Sequence, residues 1–326
     1  MSQMPPSFST AHAAALTGAA WSRRHDLAFL SIQGRDRTSF LHGLLSSDVK
    51  KQELGTGQPA CLLTAKGGLV APLAVHHLPD EHLLIGPKPS IPAAYELLTK
   101  MAPLSDCKVE LHQLEAWLIA GPNKHKILEA LAGRPSDPGY GGARAFNTSA
   151  GVVGVLTEFH SGLDAFLLVV PEAASERFAG ILPGAADAAG AVELDDSVLE
   201  VLRIESGMPS WGRESGPDVF PQEVRLDKWV AQDKGCYLGQ ETMARLRDRG
   251  HVNRLLVGLK LDDNAATGDP VESEDGEPLG RITSIAPSPR LKAPLALASL
   301  KRGAGQQVII RAGANKVPAK QVELPL

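Results

Sequence analysis

The pattern of predicted elements changes near Asn253, and this change constrains the fold more than any other feature of the sequence. Before it, helical patterns such as DDSVLEVLRIESG are interspersed with strand-like runs such as DLAFLSIQG and AWLIAG. After it come RLLVGLKL, PLGRITSIA, PLALASL and QQVIIRA, four short strand-like segments separated by Gly, Pro and Asp turns, without a helical segment. The sequence therefore predicts a mixed helix–strand region followed by a small β-barrel or sandwich.

The composition indicates an ordinary soluble protein. The chain has 326 residues, enough for two or three domains, with 43% hydrophobic and 21% charged residues. A net charge of −4 argues against a general nucleic-acid binder. No apolar run of membrane-spanning length occurs, and the basic residues Arg23 and Arg24 follow the Ala-rich N-terminal patch, the wrong order for a signal peptide. We expect a cytoplasmic protein that binds neither membranes nor nucleic acid directly.

The three cysteines, Cys61, Cys107 and Cys236, are far apart and form no C-x-x-C pair. This usage is typical of free thiols in a reducing compartment, and it provides no zinc or cluster cage within the chain. Cys61 lies in the apolar run ACLLT and Cys107 precedes the short run KVEL, so both are expected to be packing residues.

Cys236 lies in a different setting, the segment DKGCYLGQET. Lys234 precedes it by two residues, and the helical pattern GQETMARLRDR begins soon after it. A cation and a helix N-terminus both favour a thiolate. Arginines and a histidine follow and supply positive charge for an anion: Arg245, Arg247, Arg249, His251 and Arg254. These residues alone leave open whether Cys236 is reactive or is a small buried hydrophobe above a solvated helix face.

Four segments resemble a known family. KGCYLGQE (234–241) resembles the K-G-C-[FY]-x-G-Q-E signature of the YgfZ-type folate-binding proteins, relatives of the aminomethyltransferase of the glycine cleavage system. GRDRTSFLHGLLSSDV (34–49) resembles the family's G-x-D-x-x-x-F-x-x-G-x-x-[ST]-x-D-V, and RIESGMPSWG (203–212) its R-x-E-x-G-x-P. The tail segment DGEPLGRITSIAPSP is similar to the C-terminal barrel of the aminomethyltransferases.

The resemblance implies an α+β fold in which a three-part ring surrounds a central cavity that holds a reduced folate. Residues 1–250 would form the folate-binding region of two intertwined α+β subdomains, and residues 251–326 a small C-terminal β-barrel. The turn at Lys66, Gly67 and Gly68 matches the family's hairpin and is expected to be structural.

The resemblance also implies site residues. Cys236 would be the functional thiol, with Lys234 beside it, and Glu205 matches the family glutamate that reaches the pterin. A carboxylate suits that role because it can accept from both N–H groups of an aminopyrimidine edge. Asp36 could equally be a helix cap. The implied folate-binding set is Glu205, Asp36, Asp48, Tyr237, Gln240 and Arg245.

For function, the resemblance implies a tetrahydrofolate-binding accessory protein that assembles, maintains or repairs iron–sulfur clusters in client enzymes, including tRNA-modifying ones. Such client enzymes or cluster carriers would be its partners. A transient cluster would have to be shared with a partner through Cys236, because one cysteine cannot hold a cluster. We expect no resident metal site and no classical enzyme.

The alternative is a folate-dependent one-carbon transferase like the aminomethyltransferases. Those enzymes carry a catalytic aspartate in the helix that corresponds here to IPAAYELLTK. This chain has Ala93 and Ala94 at that place, and Glu96 lies on a different turn position. The departure favours the accessory role over the transferase, since methylene transfer needs a group that handles the proton.

Overall fold

The computed structural model describes residues 6–133, 142–248 and 250–326. Its helices are α1 (Pro6–Thr17), α2 (Arg37–Leu44), α3 (Ile91–Met101), α4 (His125–Ala132), α5 (Ser175–Ala188), α6 (Asp196–Ser206) and α7 (Gln240–Asp248). None of the helices in these ranges is long and apolar enough to cross a membrane.

The first unit is a six-stranded sheet in the order β11-β1-β7-β10-β9-β8. Its strands are β1 (Ala20–Arg23), β7 (Leu114–Ala120), β8 (Ala143–Thr148), β9 (Gly151–Thr157), β10 (Ala165–Pro171) and β11 (Val192–Glu193). Helices α4 and α5 cover one face, where Trp117 meets Phe178 edge-to-face with ring centroids 4.9 Å apart. Helix α4 ends where Gly133 adopts φ +65°, as KHKILEALAG predicts.

The second unit is a five-stranded sheet in the order β3-β4-β5-β2-β6. It contains β2 (Leu27–Gln33), β3 (Gly57–Leu63), β4 (Leu69–His77), β5 (His82–Pro87) and β6 (Lys108–His112). Helices α2 and α3 bury Leu41, Leu44, Ala94 and Leu98 against it. The chain leaves the first sheet after β1, builds the whole second sheet, and returns with β7, so the two units are interleaved.

The tail closes into a barrel in the order β12-β15-β14-β13-β16-β17. Its strands are β12 (Arg254–Leu261), β13 (Pro270–Glu272), β14 (Pro278–Ser288), β15 (Ala293–Lys301), β16 (Gln307–Ala312) and β17 (Asn315–Val322). The predicted α+β fold with a small C-terminal barrel is thus confirmed. Of the two forms that the strand pattern allowed for the tail, barrel and sandwich, the structure has the barrel. Strands β13 and β17 were not predicted.

The turn between β3 and β4 packs against the start of α7. Gly67 has φ +86°, and Gly239 has φ +85° beside the turn. A Cβ atom at Gly239 would lie 2.7 Å from the carbonyl oxygen of Thr64, which is closer than van der Waals contact allows. The glycines of the hairpin and of the KGCYLGQE segment therefore let two backbones approach each other.

Candidate functional site

The main cavity has a volume of about 370 Å³ and lies where the two sheet units and α6 meet. Its wall is formed by the junction of β1 and β2, by the segments after β5 and β9, by one face of α6, and by the irregular chain that follows α6. The lining residues are Arg23, Arg24, His25, Asp26, Leu27, Pro72, Pro87, Pro89, His160, Ser161, Asp196, Leu199, Glu200, Arg203, Met208, Pro209, Ser210, Trp211, Arg213, Leu226 and Trp229.

Helix α6 presents one stripe to this cavity. Asp196, Leu199, Glu200 and Arg203 lie at positions i, i+3, i+4 and i+7, which share one side of a helix. The helix is fixed at its start, where the Asp195 side chain accepts a hydrogen bond from the amide of Val198. Polar cavity residues are therefore held on a rigid element.

An arginine between two carboxylates forms one side of the cavity. Arg24 donates from Nε and Nη2 to the two oxygens of Asp26, at 2.7 and 2.8 Å, and from Nη1 to Glu158 at 3.5 Å. Burial alone would lower the pKa of Arg24, but Asp26 and Glu158 outweigh it and raise that pKa. Burial would likewise raise the pKa of Asp26, yet the hydrogen bonds from Arg24 lower it. Asp26 is thus an ionised carboxylate at neutral pH.

Glu158 supports this arrangement from behind. Its side chain is fully buried and accepts from the amides of His160 and Ser161, at 2.7 and 2.8 Å, and from the Ser161 hydroxyl. Burial lowers the pKa of His160, so this ring is neutral, and it packs edge-on against Trp229 with centroids 5.5 Å apart. Within this group, the single positive charge of Arg24 faces the two carboxylates Asp26 and Glu158, and the neutral His160 adds no positive charge. The group of four residues therefore carries a net negative charge.

A second ion-pair network holds the α6 side of the cavity. Arg203 donates to Glu200 at 2.9 and 2.8 Å, and Arg213 donates to the same carboxylate at 2.8 and 3.1 Å. Burial would raise the pKa of Glu200, but these hydrogen bonds outweigh it and lower that pKa. Arg203 also donates to the hydroxyl of Ser284 on β14, at 2.8 Å, and to the fully buried Glu214 at 3.3 Å. The cavity wall is thus tied to the barrel.

Glu205, the predicted pterin contact, faces away from the cavity. It is 3% exposed, and its two oxygens lie 2.7 Å from Nε2 of His12 and 2.5 Å from the hydroxyl of Ser288. Burial would raise the pKa of Glu205, but these partners lower it. The backbone carbonyl of Glu205 accepts from the amide of Leu326. Glu205 therefore ties α1, α6 and the barrel together, and a folate contact for it stays a prediction.

Lys234 has a well-defined structural role. Its ammonium donates to the carbonyl oxygens of His42, Leu45 and Ser47, at 2.7, 2.5 and 2.8 Å, around the end of α2. It also lies 4.7 Å from the centre of the Tyr237 ring. Burial lowers the pKa of Lys234 to about 8, so the ammonium is still the main form at pH 7. The ammonium thus binds backbone carbonyls in the last turn of α2 and just after the helix.

Cys236 is exposed, whereas Cys61 is fully buried and burial raises its pKa to about 12. Cys236 lies outside the lining of the main cavity. The neighbouring Gly235 lies next to the ring of His42, whose Nδ1 is 3.3 Å from Asp48. The functional role of the thiol stays a prediction.

The other predicted folate residues also lie outside the main cavity. Asp36 precedes α2 but accepts from the amide of Asp106 at 2.9 Å, so it fixes a loop rather than capping the helix with its side chain. Asp48 accepts from the amide of Lys51. Arg245 pairs with Glu241 on the exposed face of α7.

A second cavity of about 270 Å³ lies beside α7, and Lys234, Tyr237 and Gln240 contribute to its lining. The KGCYLGQE segment thus borders a different space from the one that α6 faces. Arg247 also lines this second cavity and is held by Asp248, while Arg249 lies outside the described residues.

Helix α3 brings no carboxylate to the main cavity. Ala93 is exposed, Ala94 is buried in the core, and Glu96 is exposed. The segment before α3 contributes Pro87 and Pro89 instead. The sequence-based observation that the helix aspartate is missing is therefore matched by the geometry.

The sequence reasoning missed the residues that line this cavity, above all Arg24, Asp26, Glu200 and Arg213. Two signals were visible: the charged run RRHD directly before a buried strand, and Glu200 and Arg203 three residues apart on a helix. Some of their ion-pair partners are distant in sequence, such as Glu158 for Arg24, and a single sequence does not show such contacts.

Comparisons with known proteins agree with this architecture. The model of the GCVT N-terminal domain matches residues 3–234, and that of the glycine cleavage T-protein C-terminal barrel domain matches residues 254–326. A crystal structure of glycine cleavage system aminomethyltransferase T from Bartonella henselae is similar, with a TM-score of 0.86, 20% identity, and coverage of 98% of this chain and 89% of that one. At this identity the likeness shows the fold.

Curated relatives cover most of the chain as well. An aminomethyltransferase from Herpetosiphon aurantiacus is 29% identical over 92% of this chain and 85% of its own length. One from Listeria monocytogenes serotype 4a is 28% identical over 96% of this chain and 88% of its own length.

These findings correct the predicted accessory role in iron–sulfur cluster assembly or repair, which is wrong. The relatives above are named aminomethyltransferases, and the similar solved structure is a glycine cleavage T-protein, so the comparisons favour the alternative reading. They give no support to an iron–sulfur cluster, to tRNA modification or to the YgfZ-type assignment. The predicted partner proteins stay a prediction.

The family model for the N-terminal domain covers more than half of the chain, and the model for the barrel covers residues 254–326. The protein therefore belongs to the glycine cleavage T-protein family.

Proposed function

We propose that this protein binds a reduced folate in the main cavity and transfers a one-carbon unit, as a folate-dependent transferase related to the aminomethyltransferases. The observation that carries the proposal is the position of the cavity. It lies within the matched GCVT N-terminal domain, at the junction of the two sheet units, in a chain whose relatives are named aminomethyltransferases.

The cavity suits a flat heteroaromatic ring. Its volume of about 370 Å³ lies in the range of small-molecule sites. Trp211, Trp229 and Met208 supply apolar surface for ring faces, and Asp26 supplies an accessible acceptor for ring N–H groups. This combination of apolar walls and a few fixed polar groups is typical of ligand sites.

The cavity also has groups for an anionic tail. The side chains of Arg23 and Arg213 are 30% and 42% exposed, so each can still reach a carboxylate while it keeps its own ion pair. When bound, the folate would supply the nitrogens that carry the one-carbon unit. The chain's own residues would bind it, orient it and exclude water.

The transfer would not use an acid from α3, because that helix presents no carboxylate to the cavity. The accessible carboxylates of the lining belong to other elements: Asp26 at the start of β2 and Asp196 at the start of α6. In this respect the chain differs from the transferases that the sequence resembles.

The first test is equilibrium binding of tetrahydrofolate, measured by calorimetry. We expect saturable binding by the wild type and at least about tenfold weaker binding by Ser210→Trp, which fills the cavity. Leu104→Trp is the matched control, because Leu104 is 82% exposed and outside the cavity lining. Thermal unfolding of both variants without ligand checks their folding.

The second test is turnover. Purified protein receives tetrahydrofolate and an aminomethyl group carried on a lipoyl thiol, and ammonia release is measured against Ser210→Trp. Absence of saturable folate binding by the wild type would refute the proposal. Binding without any turnover would refute the transferase part alone.

Within the family, we propose that the KGCYLGQE segment marks a subgroup nearer to the YgfZ-type folate-binding proteins. The support is the sequence of that segment, together with the absence of an aspartate from α3.

A further inference from the structure

We infer that the second cavity, beside α7, binds a free α-amino acid with an apolar side chain. The inference is independent of the proposed function, because the linings of the second cavity and the main cavity have no residue in common. It is carried by a buried acceptor without a partner, by opposite charges on two walls, and by the apolar surface between them.

Helix α7 forms one wall of this cavity. Gln240, Met243, Ala244 and Arg247 lie at positions i, i+3, i+4 and i+7, so they share one side of the helix. Further apolar surface comes from neighbouring side chains: Val230, Ala231 and Leu246. The volume of about 270 Å³ lies just below the range of drug-sized sites, so the cavity suits a smaller molecule.

Gln222 on the facing wall has an acceptor that the protein does not use. Its Nε2 donates to the sulfur of Met243 at 3.3 Å, which brings the wall of Gln222 against α7. Its Oε1 is buried and has no hydrogen-bond partner among the described residues. A buried acceptor without a partner is costly, so an N–H donor of a ligand would be stabilised here.

Asp227 adds a negative charge to the wall of Gln222. The two residues belong to successive short helical turns, Pro221–Val224 and Asp227–Trp229, which pack against each other. The Asp227 side chain is exposed and lines the cavity. A carboxylate and an amide oxygen on one wall match an ammonium group, which has donors only.

Arg247 and Tyr237 provide donors for a carboxylate. Three of the five guanidinium N–H groups are used, by both oxygens of Asp248 and by the carbonyl of Gln232. Two remain, on a side chain that is 47% exposed. Burial and Cys61 raise the pKa of Tyr237 to about 12 against the opposing effect of Arg247, so the phenol keeps its proton and can donate.

The two charged ends and the apolar surface select the ligand class. A ligand with an ammonium and a carboxylate satisfies Asp227 and Gln222 on one wall and Arg247 on the other. An apolar side chain on the same molecule then covers Ala244 and Met243. An α-amino acid has all three features within a volume that this cavity can hold.

The test is a titration of three related probes into the full-length protein by calorimetry. L-Leucine carries both charges, leucinamide lacks the carboxylate, and 4-methylpentanoate lacks the ammonium. We expect the wild type to bind leucine saturably and each of the other probes at least about tenfold more weakly, because one charge-assisted interaction is lost in each case.

Two variants assign the charges. Arg247→Gln should bind leucine at least about tenfold more weakly and leucinamide like the wild type. Asp227→Asn should likewise lose affinity for leucine but not for 4-methylpentanoate. Arg245→Gln is the matched control, because Arg245 pairs with Glu241 on the exposed face of α7 outside the lining, and it should bind all three probes like the wild type. Thermal unfolding without ligand checks that each variant is folded.

Absence of saturable leucine binding by the wild type would overturn the inference. Leucinamide or 4-methylpentanoate binding as tightly as leucine would overturn it too, because one charge of the amino acid would then go unrecognised. Equal leucine affinity in Arg247→Gln and the wild type would have the same consequence.

Ser210→Trp, which fills the main cavity, separates the two sites. It should bind leucine like the wild type, and a loss of leucine binding in this variant would place leucine in the main cavity and overturn the inference. The proposed function is tested by tetrahydrofolate and not by leucine, so either one can fail while the other stands.

Discussion

Replacement of Lys234 by methionine removes an ammonium that serves three backbone carbonyls at the end of α2. The donor–acceptor distances are 2.7, 2.5 and 2.8 Å, to His42, Leu45 and Ser47. A hydrogen bond from a charged group contributes about 1.5–3 kcal/mol, but water can replace part of it here, and desolvation of the ammonium already costs stability. We therefore expect a loss of about 3 kcal/mol in the free energy of unfolding.

The assay is thermal unfolding at pH 7, where the ammonium is the main form because its pKa is about 8. A loss of this size lowers the midpoint by about 6–12 °C in a domain of 150–250 residues. Lys228→Met is the control, because Lys228 lies in the same region and is exposed. It should shift the midpoint by no more than about 1 °C.

The reasoning is refuted if Lys234→Met and Lys228→Met unfold at the same temperature. The three carbonyls would then find equally good partners without the lysine. A loss of activity in Lys234→Met would in that case report a chemical role for the side chain.

Three further predictions concern other parts of the molecule. Burial lowers the pKa of His76 to about 3, so as the pH falls the unfolded chain binds a proton at this residue before the folded chain does. The free energy of unfolding should therefore decrease as the pH falls below about 6.5, by up to about 1.4 kcal/mol per pH unit. Urea unfolding at pH 7 and pH 5 should show that the free energy of unfolding depends less on pH in His76→Leu than in the wild type. An equal pH dependence in the two proteins would contradict this. Iodoacetamide should alkylate Cys236 in the native protein and Cys61 only after unfolding, as read by mass spectrometry; early labelling of Cys61 would count against its burial. Gly239→Ala should cost more than about 1 kcal/mol in urea unfolding, since its φ is +85° and the new Cβ would meet the carbonyl of Thr64; a neutral substitution would show that the hairpin can move.

The sequence predicted the two-part architecture because hydrophobic periodicity is local. Strand β17 escaped prediction for the same reason. In NKVPAKQV the strongest inward-facing signals are Val317 and Ala319, between exposed lysines and Pro318. A polar strand of this kind is stabilised by closure of the barrel, which depends on strands far away in sequence.

The candidate site was harder to predict. Arg203 and Glu205 belong to one motif, yet two residues along a helix correspond to nearly opposite faces, so one lines the cavity and the other does not. Which face meets the cavity depends on His12 and Ser288, which hold Glu205 from both sides. Asp26 was not predicted as a cavity residue. Its partner Arg24 is held by the buried Glu158, which is distant in sequence.

Helix α6 has two kinds of attachment within a single turn. Arg203 donates hydrogen bonds to the cavity network and to Ser284. The side chain of Glu205 contacts His12 of α1 and Ser288, and its backbone carbonyl accepts from the amide of Leu326. A rigid turn cannot shift at one of these residues without shifting at the other. Substitutions at His12 of α1 or at Ser288 of the barrel should therefore change the residence time of a ligand in the cavity, although both residues lie outside the cavity lining.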